Sequence, residues 1–211
     1  MITGLALALS LSSTPAPPAY REVLRTDVVV VAVAPRAGRA VNVVRAVAVV
    51  AAPADAVWDV VTDLEGQKDV LPDTTVSDVL GTKDGVTFVH QRCETAFFAP
   101  REYVIATRTE VTTSTTGAVR RAFSWSASDA HGDVIDADAV YVTDNVGVVV
   151  VEAVDAARTR VTLQIAIDPA GAVPAFITNA AQTAGVEQAL RVLERAAQER
   201  ARSSAARVAQ R

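Results

Sequence analysis

Cysteine is nearly missing from this chain: Cys93 stands alone among 211 residues, so no internal disulfide framework holds the fold. Histidine is almost as scarce, with His90 and His131 the only two. A lone thiol with so few possible base partners reads as a small core residue rather than a nucleophile. The same shortage falls short of a zinc constellation, so neither a metal nor a cofactor is expected. Aromatics make up only 5% of the residues, which leaves the core to Val, Ala, Leu and Ile. An excess of positive charge is missing too: a formal net charge of −4 argues against a general nucleic-acid binder. Beyond residue 20, no charge-free apolar run reaches the roughly 20 residues of a membrane-spanning helix.

What is present is apolar material in short pieces. Half of the chain is hydrophobic, enough to bury a sizeable core in one domain. The first twenty residues differ from the rest. An apolar stretch from Ile2 to Leu11 runs into Ser, Thr and Pro, the length of a signal-peptide core, although no Lys or Arg precedes Arg21. The expectation is a leader over 1–20, export to the periplasm or beyond the cell, and a mature domain over 21–198. From Arg191 onward six Arg stand against two Glu, which makes residues 199–211 a basic tail. Such a tail is a candidate for transient contact with an anionic membrane surface.

Residues 27–35 and 40–50 are β-branched and read as strands. "APADAVWDVVTDLEG" (52–66) changes period: Pro53 suits a first helical turn, Asp55 the positive helix N-terminus, and Val57, Val60 and Val61 share a face. "QKDVLPD" adds a second short helix. Strands follow at 75–81, 85–93, 101–111, 118–127, 134–143, 147–154 and 159–167, separated by short turns that favour antiparallel neighbours. A helix runs from Pro174 to Gln198. Strands and helices segregate, so the class is α+β, and one long helix covers that many strands only if the sheet curls around it.

That architecture leaves a concave face partly filled by one helix, and parity selects the candidates for its wall. Val161, Leu163, Ile165 and Ile167 alternate cleanly with polar or small residues. Phe123 and Trp125 share a face. In "GVTFVHQRC", Phe88, His90 and Arg92 share one parity, and Val89, Gln91 and Cys93 the other. The first set is taken as the inner one, and Tyr141 joins it from the 134–143 strand. On the final helix Phe176, Ala180, Thr183, Val186, Leu190, Leu193 and Ala197 form one stripe. Its first half is small, with Ala184 and Gly185 beside it, which fits either close packing or a roof over unfilled volume.

Three segments carry a family resemblance. "APADAVWDVVTDLEG" resembles the first helix of the birch-pollen-allergen-like helix-grip superfamily. "APREYVIATR" (99–108) resembles the Pro-Arg-Asp segment of START (steroidogenic acute regulatory protein-related lipid-transfer) domains, with Glu102 in place of the Asp. "VTLQIAIDPAGAVPAFITN" (161–179) is similar to the START last strand, Asp-Pro-x-Gly turn and Pro-led final helix. The resemblance covers about residues 40–197. It implies a helix-grip fold in which a curled antiparallel sheet and the C-terminal helix enclose one lipid-like molecule. Phe88, His90, Arg92, Arg101, Phe123, Trp125, Tyr141, Phe176, Ala180, Thr183 and Ala184 are then the candidate cavity wall. The expected function is binding and carrying one lipid or other hydrophobic molecule, as a monomer. A polyketide cyclase/aromatase-like enzyme and a ligand sensor are the alternatives.

Overall fold

The structure, a computed structural model, describes residues 19–94 and 98–209, so all but the last two residues of the expected leader lie outside the described residues. Three strands open the fold: β1 (Arg21–Arg25), β2 (Val29–Ala34) and β3 (Val43–Val50). Two short helices follow, α1 (Ala54–Thr62) and α2 (Gln67–Val70). Then come β4 (Thr74–Lys83), β5 (Val86–Cys93), β6 (Arg101–Thr113), β7 (Val119–Ala127), β8 (Val140–Tyr141), β9 (Asp144–Ala153) and β10 (Thr159–Asp168). The long α3 (Ala175–Ala209) closes the chain.

The strands form one curled sheet in the order β1-β2-β3-β10-β9-β7-β6-β5-β4, antiparallel along that path. The fold is the expected helix grip: α3 lies in the concavity against α1, β2, β3 and β10. Local chemistry explains the tight connections. β4 and β5 turn on Asp84-Gly85, whose φ angles of +52° and +73° make a two-residue hairpin turn whose twist matches the flanking strands. The apolar faces meet in a main core of Val31, Val44, Ala46, Val57, Val151, Val161, Leu190 and Leu193, with a smaller cluster of Val89, Tyr103, Ile105 and Val142.

Four expectations change. β1 forms in a polar segment whose strand character comes from pairing with β2 rather than from its own alternation. The strand expected over 134–143 shrinks to two residues. Where β7 ends at Ala127, β8 takes its place beside β6, in parallel, with Glu102 opposite Tyr141. The intervening residues leave the sheet as a strap across its convex face. Asp144-Asn145, in the turn expected between the 134–143 and 147–154 strands, begins β9 instead. Helix α3 also runs on past Gln198 to Ala209, through the segment read as a tail.

Candidate functional site

Between the concave face and α3 lies a cavity of about 310 Å³. Its inner part is walled by Val60 and Val61 of α1, Phe123, Val149, Val161 and Leu163 of the sheet, and Val186, Leu190 and Leu193 of α3. Its other end is more polar, with Cys93, Tyr103, Asn145 and Gln182. The rim is formed by half-buried and exposed residues, Val70–Asp73 at the end of α2 and just beyond it facing Gly185 and Ala189 of α3.

Most polar groups around the cavity are spent on holding its walls. The Gln91 amide donates to Gln67 Oε1 at 2.8 Å and to Ser77 Oγ at 3.0 Å. Ser77 in turn donates to Leu64 O at 2.6 Å, which ties the α1–α2 link to β4 and β5. Trp125 lies flat over Gly147, its cross-strand partner, and its indole N–H donates to Asn145 Oδ1 at 2.9 Å. Gly147 is required by that close approach: an added Cβ would lie 2.6 Å from Trp125 Cη2 and 2.7 Å from Gln164 O. Tyr103 is buried with its hydroxyl 3.4 Å from Cys93 Sγ. Burial first, and the neighbouring thiol second, push its phenol well above the ordinary range, so it keeps its proton and remains a donor.

The start of α3 is fastened rather than loose. Asn179 Oδ1 accepts the Asn42 N–H at 2.9 Å. Gln182 Oε1 accepts the Ile167 N–H at 3.1 Å. Pairing of β3 with β10 stops at Ile165, so Gln182 satisfies a strand-edge donor that β3 leaves open.

These bonds set the helix phase, and the phase differs from the expected stripe. Thr178, Gln182, Val186, Leu190, Leu193 and Ala197 point inward. Phe176 is 74% exposed, Ala180 and Ala184 face solvent, and Thr183 bonds back to Asn179 O off the cavity wall. The apolar pattern alone favoured Phe176; the two side-chain amides at the helix start override it. Gly185 and Ala189 are the small residues that do roof the space.

The parity chosen for β5 is reversed as well. Val89, Gln91 and Cys93 face inward, and Phe88, His90 and Arg92 face the convex side. There they meet the strap: Phe88 packs edge-on to His131, and Arg92 reaches Asp136 at 2.9 Å and Asp138 at 3.2 Å. Tyr141, opposite Glu102, also turns outward, and its hydroxyl donates to Ser128 O. Glu102 is wholly buried between sheet and strap, accepting from Arg92, from His90 Nε2 at 3.2 Å and from the Asp136 N–H at 2.8 Å. Burial pushes the Glu102 carboxyl up, but these donors outweigh it and hold the group below the usual carboxylate range. Arg101 binds the Ala99 and Pro169 carbonyls and pins the 99–101 segment to the turn before α3.

Of the residues proposed from sequence, then, Phe123, Trp125, Gly185 and the β10 row Val161, Leu163, Ile165 and Ile167 line the cavity. Tyr103, Asn145, Gln182 and Ala189 line it without having been named as wall. Tyr103 had a signal, since it shares parity with Ile105 in "REYVIATR"; Asn145 and Gln182 had none, because polar residues in a strand start and a helix face read as surface.

The family model "Polyketide cyclase / dehydrase and lipid transport" matches residues 50–194. Among curated proteins, none matches the chain. Among solved structures, the STAR-related lipid transfer protein of Xanthomonas axonopodis (fragment 25–204) has a TM-score of 0.71 at 18% identity, covering 85% of this chain and 98% of that one. Human StAR-related lipid transfer protein 5 has a TM-score of 0.73 at 14% identity, covering 85% and 86%. A di-domain aromatase/cyclase from the steffimycin biosynthetic pathway has a TM-score of 0.50 at 18% identity, covering 72% of this chain and 44% of that one.

Proposed function

The chain belongs to the polyketide cyclase / dehydrase and lipid transport family, with a START-type helix-grip fold suited to hydrophobic ligands, and from that premise we propose that it binds one hydrophobic molecule and carries it. One observation carries the reading: an apolar cavity of about 310 Å³ whose wall polar groups are mostly paired with each other. Apolar surface leaving water contributes roughly 25 cal/mol per Å². Exchange proceeds at the rim between Val70–Asp73 and α3, because the start of α3 is tied to Asn42 and Ile167.

A cyclase/aromatase-like activity is the second reading, and Tyr103 favours it: a buried phenol that keeps its proton can hydrogen-bond to a substrate carbonyl. Native mass spectrometry of the purified protein, with extraction of what co-purifies, tests both. One stoichiometric apolar molecule, released unchanged after incubation, supports carriage. A bound chain recovered with water lost supports the enzyme. A folded protein that takes up nothing from a lipid extract overturns carriage and leaves the enzyme reading.

Export is part of the proposal, on the apolar segment Ile2–Leu11, and sequencing the N-terminus of the mature protein checks it. So is action as a monomer that touches anionic membranes through Arg202 and Arg207, both exposed on the end of α3. Salt-insensitive transfer between anionic vesicles would overturn that contact.

A further inference from the structure

The cavity's more polar end leaves donors unused. With Gln182 Oε1 held by the Ile167 N–H, Gln182 Nε2 is buried and has no partner among the described residues. Gln182 is only 9% exposed and lines the cavity, so this N–H₂ group has no access to bulk water. Thr178 Oγ1, one turn earlier on the same helix face, is likewise buried and unpaired. Asn145 sits close by, since it is the cross-strand partner of the same Ile167. Its Oδ1 is taken by the Trp125 indole, which can only donate, so the free half of the Asn145 amide is again the N–H₂. The Tyr103 hydroxyl, protonated and partnered among the described residues only by a thiol, lies at the same end.

A buried donor without an acceptor is costly, and the cost disappears when a ligand supplies one. Among the described residues, the wall carries no charged side chain except Asp73, which is exposed at the rim. An anionic or cationic head group inside would therefore have no counter-charge. Resting on the hydrophobic-cavity reading, we infer that the occupant is a neutral, largely apolar molecule with an acceptor oxygen, a ketone or similar carbonyl, seated against Gln182 and Asn145. The hydrocarbon part fills the Val61–Leu163–Leu193 end. Two amide donors from different elements fix its direction of entry: carbonyl at the polar end, hydrocarbon against α1.

The test uses 2-acetylnaphthalene and its shape match 2-isopropenylnaphthalene, in which CH₂ replaces the carbonyl oxygen. Both are titrated calorimetrically into full-length protein freed of endogenous ligand. Gln182→Met should weaken the ketone about tenfold and leave the alkene unchanged or slightly tighter. Equal shifts, or none, overturn the inference while the hydrophobic cavity stands. Binding of neither probe to the wild-type protein overturns the cavity reading and the inference together. Gln182→Met also removes the Ile167 cap, so a wild-type measurement accompanies it. The infrared carbonyl stretch of bound 2-acetylnaphthalene should fall below its value in alkane, as in a hydrogen-bonded ketone. A stretch at the alkane value overturns the inference whatever the variant does.

Discussion

The two faces of β5 and β6 use one alternating sequence for opposite ends. On the concave side Gln91, Cys93, Tyr103 and Ile105 border a space left open, with Val89 packed beside them. On the convex side Phe88, His90, Arg92 and Glu102 border nothing empty: the strap after β7 covers them and closes a charge network over the sheet. A wall facing a void has no packing behind it, so its stiffness must come from elsewhere. In this molecule it comes from the back of the same strands, where a buried carboxylate fastens sheet to strap.

Removing that fastening should give the largest effect. Glu102→Ala leaves Arg92 and His90 without the buried charge they surround, and it should cost about 3–5 kcal/mol of unfolding free energy in urea titration. The pH dependence follows from the lowered carboxyl. A group whose folded pKa lies below its unfolded value stabilises fully above the unfolded value and loses that contribution as pH falls through the folded one. The gap between wild type and Glu102→Gln should thus be constant near neutrality and begin to close below about pH 4.3. A gap that widens in acid would mean that Glu102 is protonated in the folded state.

The concave face should respond to crowding rather than to charge. Gly147→Ala forces the Trp125 ring off the strand and breaks its bond to Asn145. A loss of about 2 kcal/mol and a changed near-ultraviolet circular dichroism spectrum are expected. An unchanged spectrum would show that the indole does not lie over Gly147 in solution.

The contrast between the faces also explains what the sequence made legible. The architecture was readable because periodicity and turn chemistry agreed at Asp84-Gly85, across β10 and along the second half of α3. The site was half readable. Phe123, Trp125 and the β10 row followed from alternation, but the β5 parity came out inverted, because a strap recruited from 128–139 covers the polar face too, burying Glu102 and half-burying Phe88, His90 and Arg92. Alternation says which residues share a face, not which face looks inward. Helix α3 failed in a related way: Asn179 and Gln182 fix its rotation through backbone groups that β3 leaves unpaired, and no hydrophobic stripe encodes that.

Two adjacent small residues on α3 sharpen the point, one turned to the cavity and the other to solvent. Gly185 faces the cavity, and a Cβ added there meets no atom within 4 Å. Gly185→Ala should therefore raise stability by about 1 kcal/mol, the helix-propensity difference, with no packing cost. A loss of stability would show that the space is filled in solution.

Ala184 is the neighbour that faces solvent. Ala184→Phe should change unfolding free energy by less than about 0.5 kcal/mol and leave the stoichiometry of the co-purifying molecule untouched. The same large side chain at Ala189, half-buried on the rim, should exclude the molecule. Sequence alone made Ala184 the inner position, so the pair of substitutions measures the rotation of α3 directly. If Ala184→Phe empties the protein and Ala189→Phe does not, the helix is turned in solution toward the stripe that runs through Phe176, and the amide bonds of Asn179 and Gln182 do not set its phase.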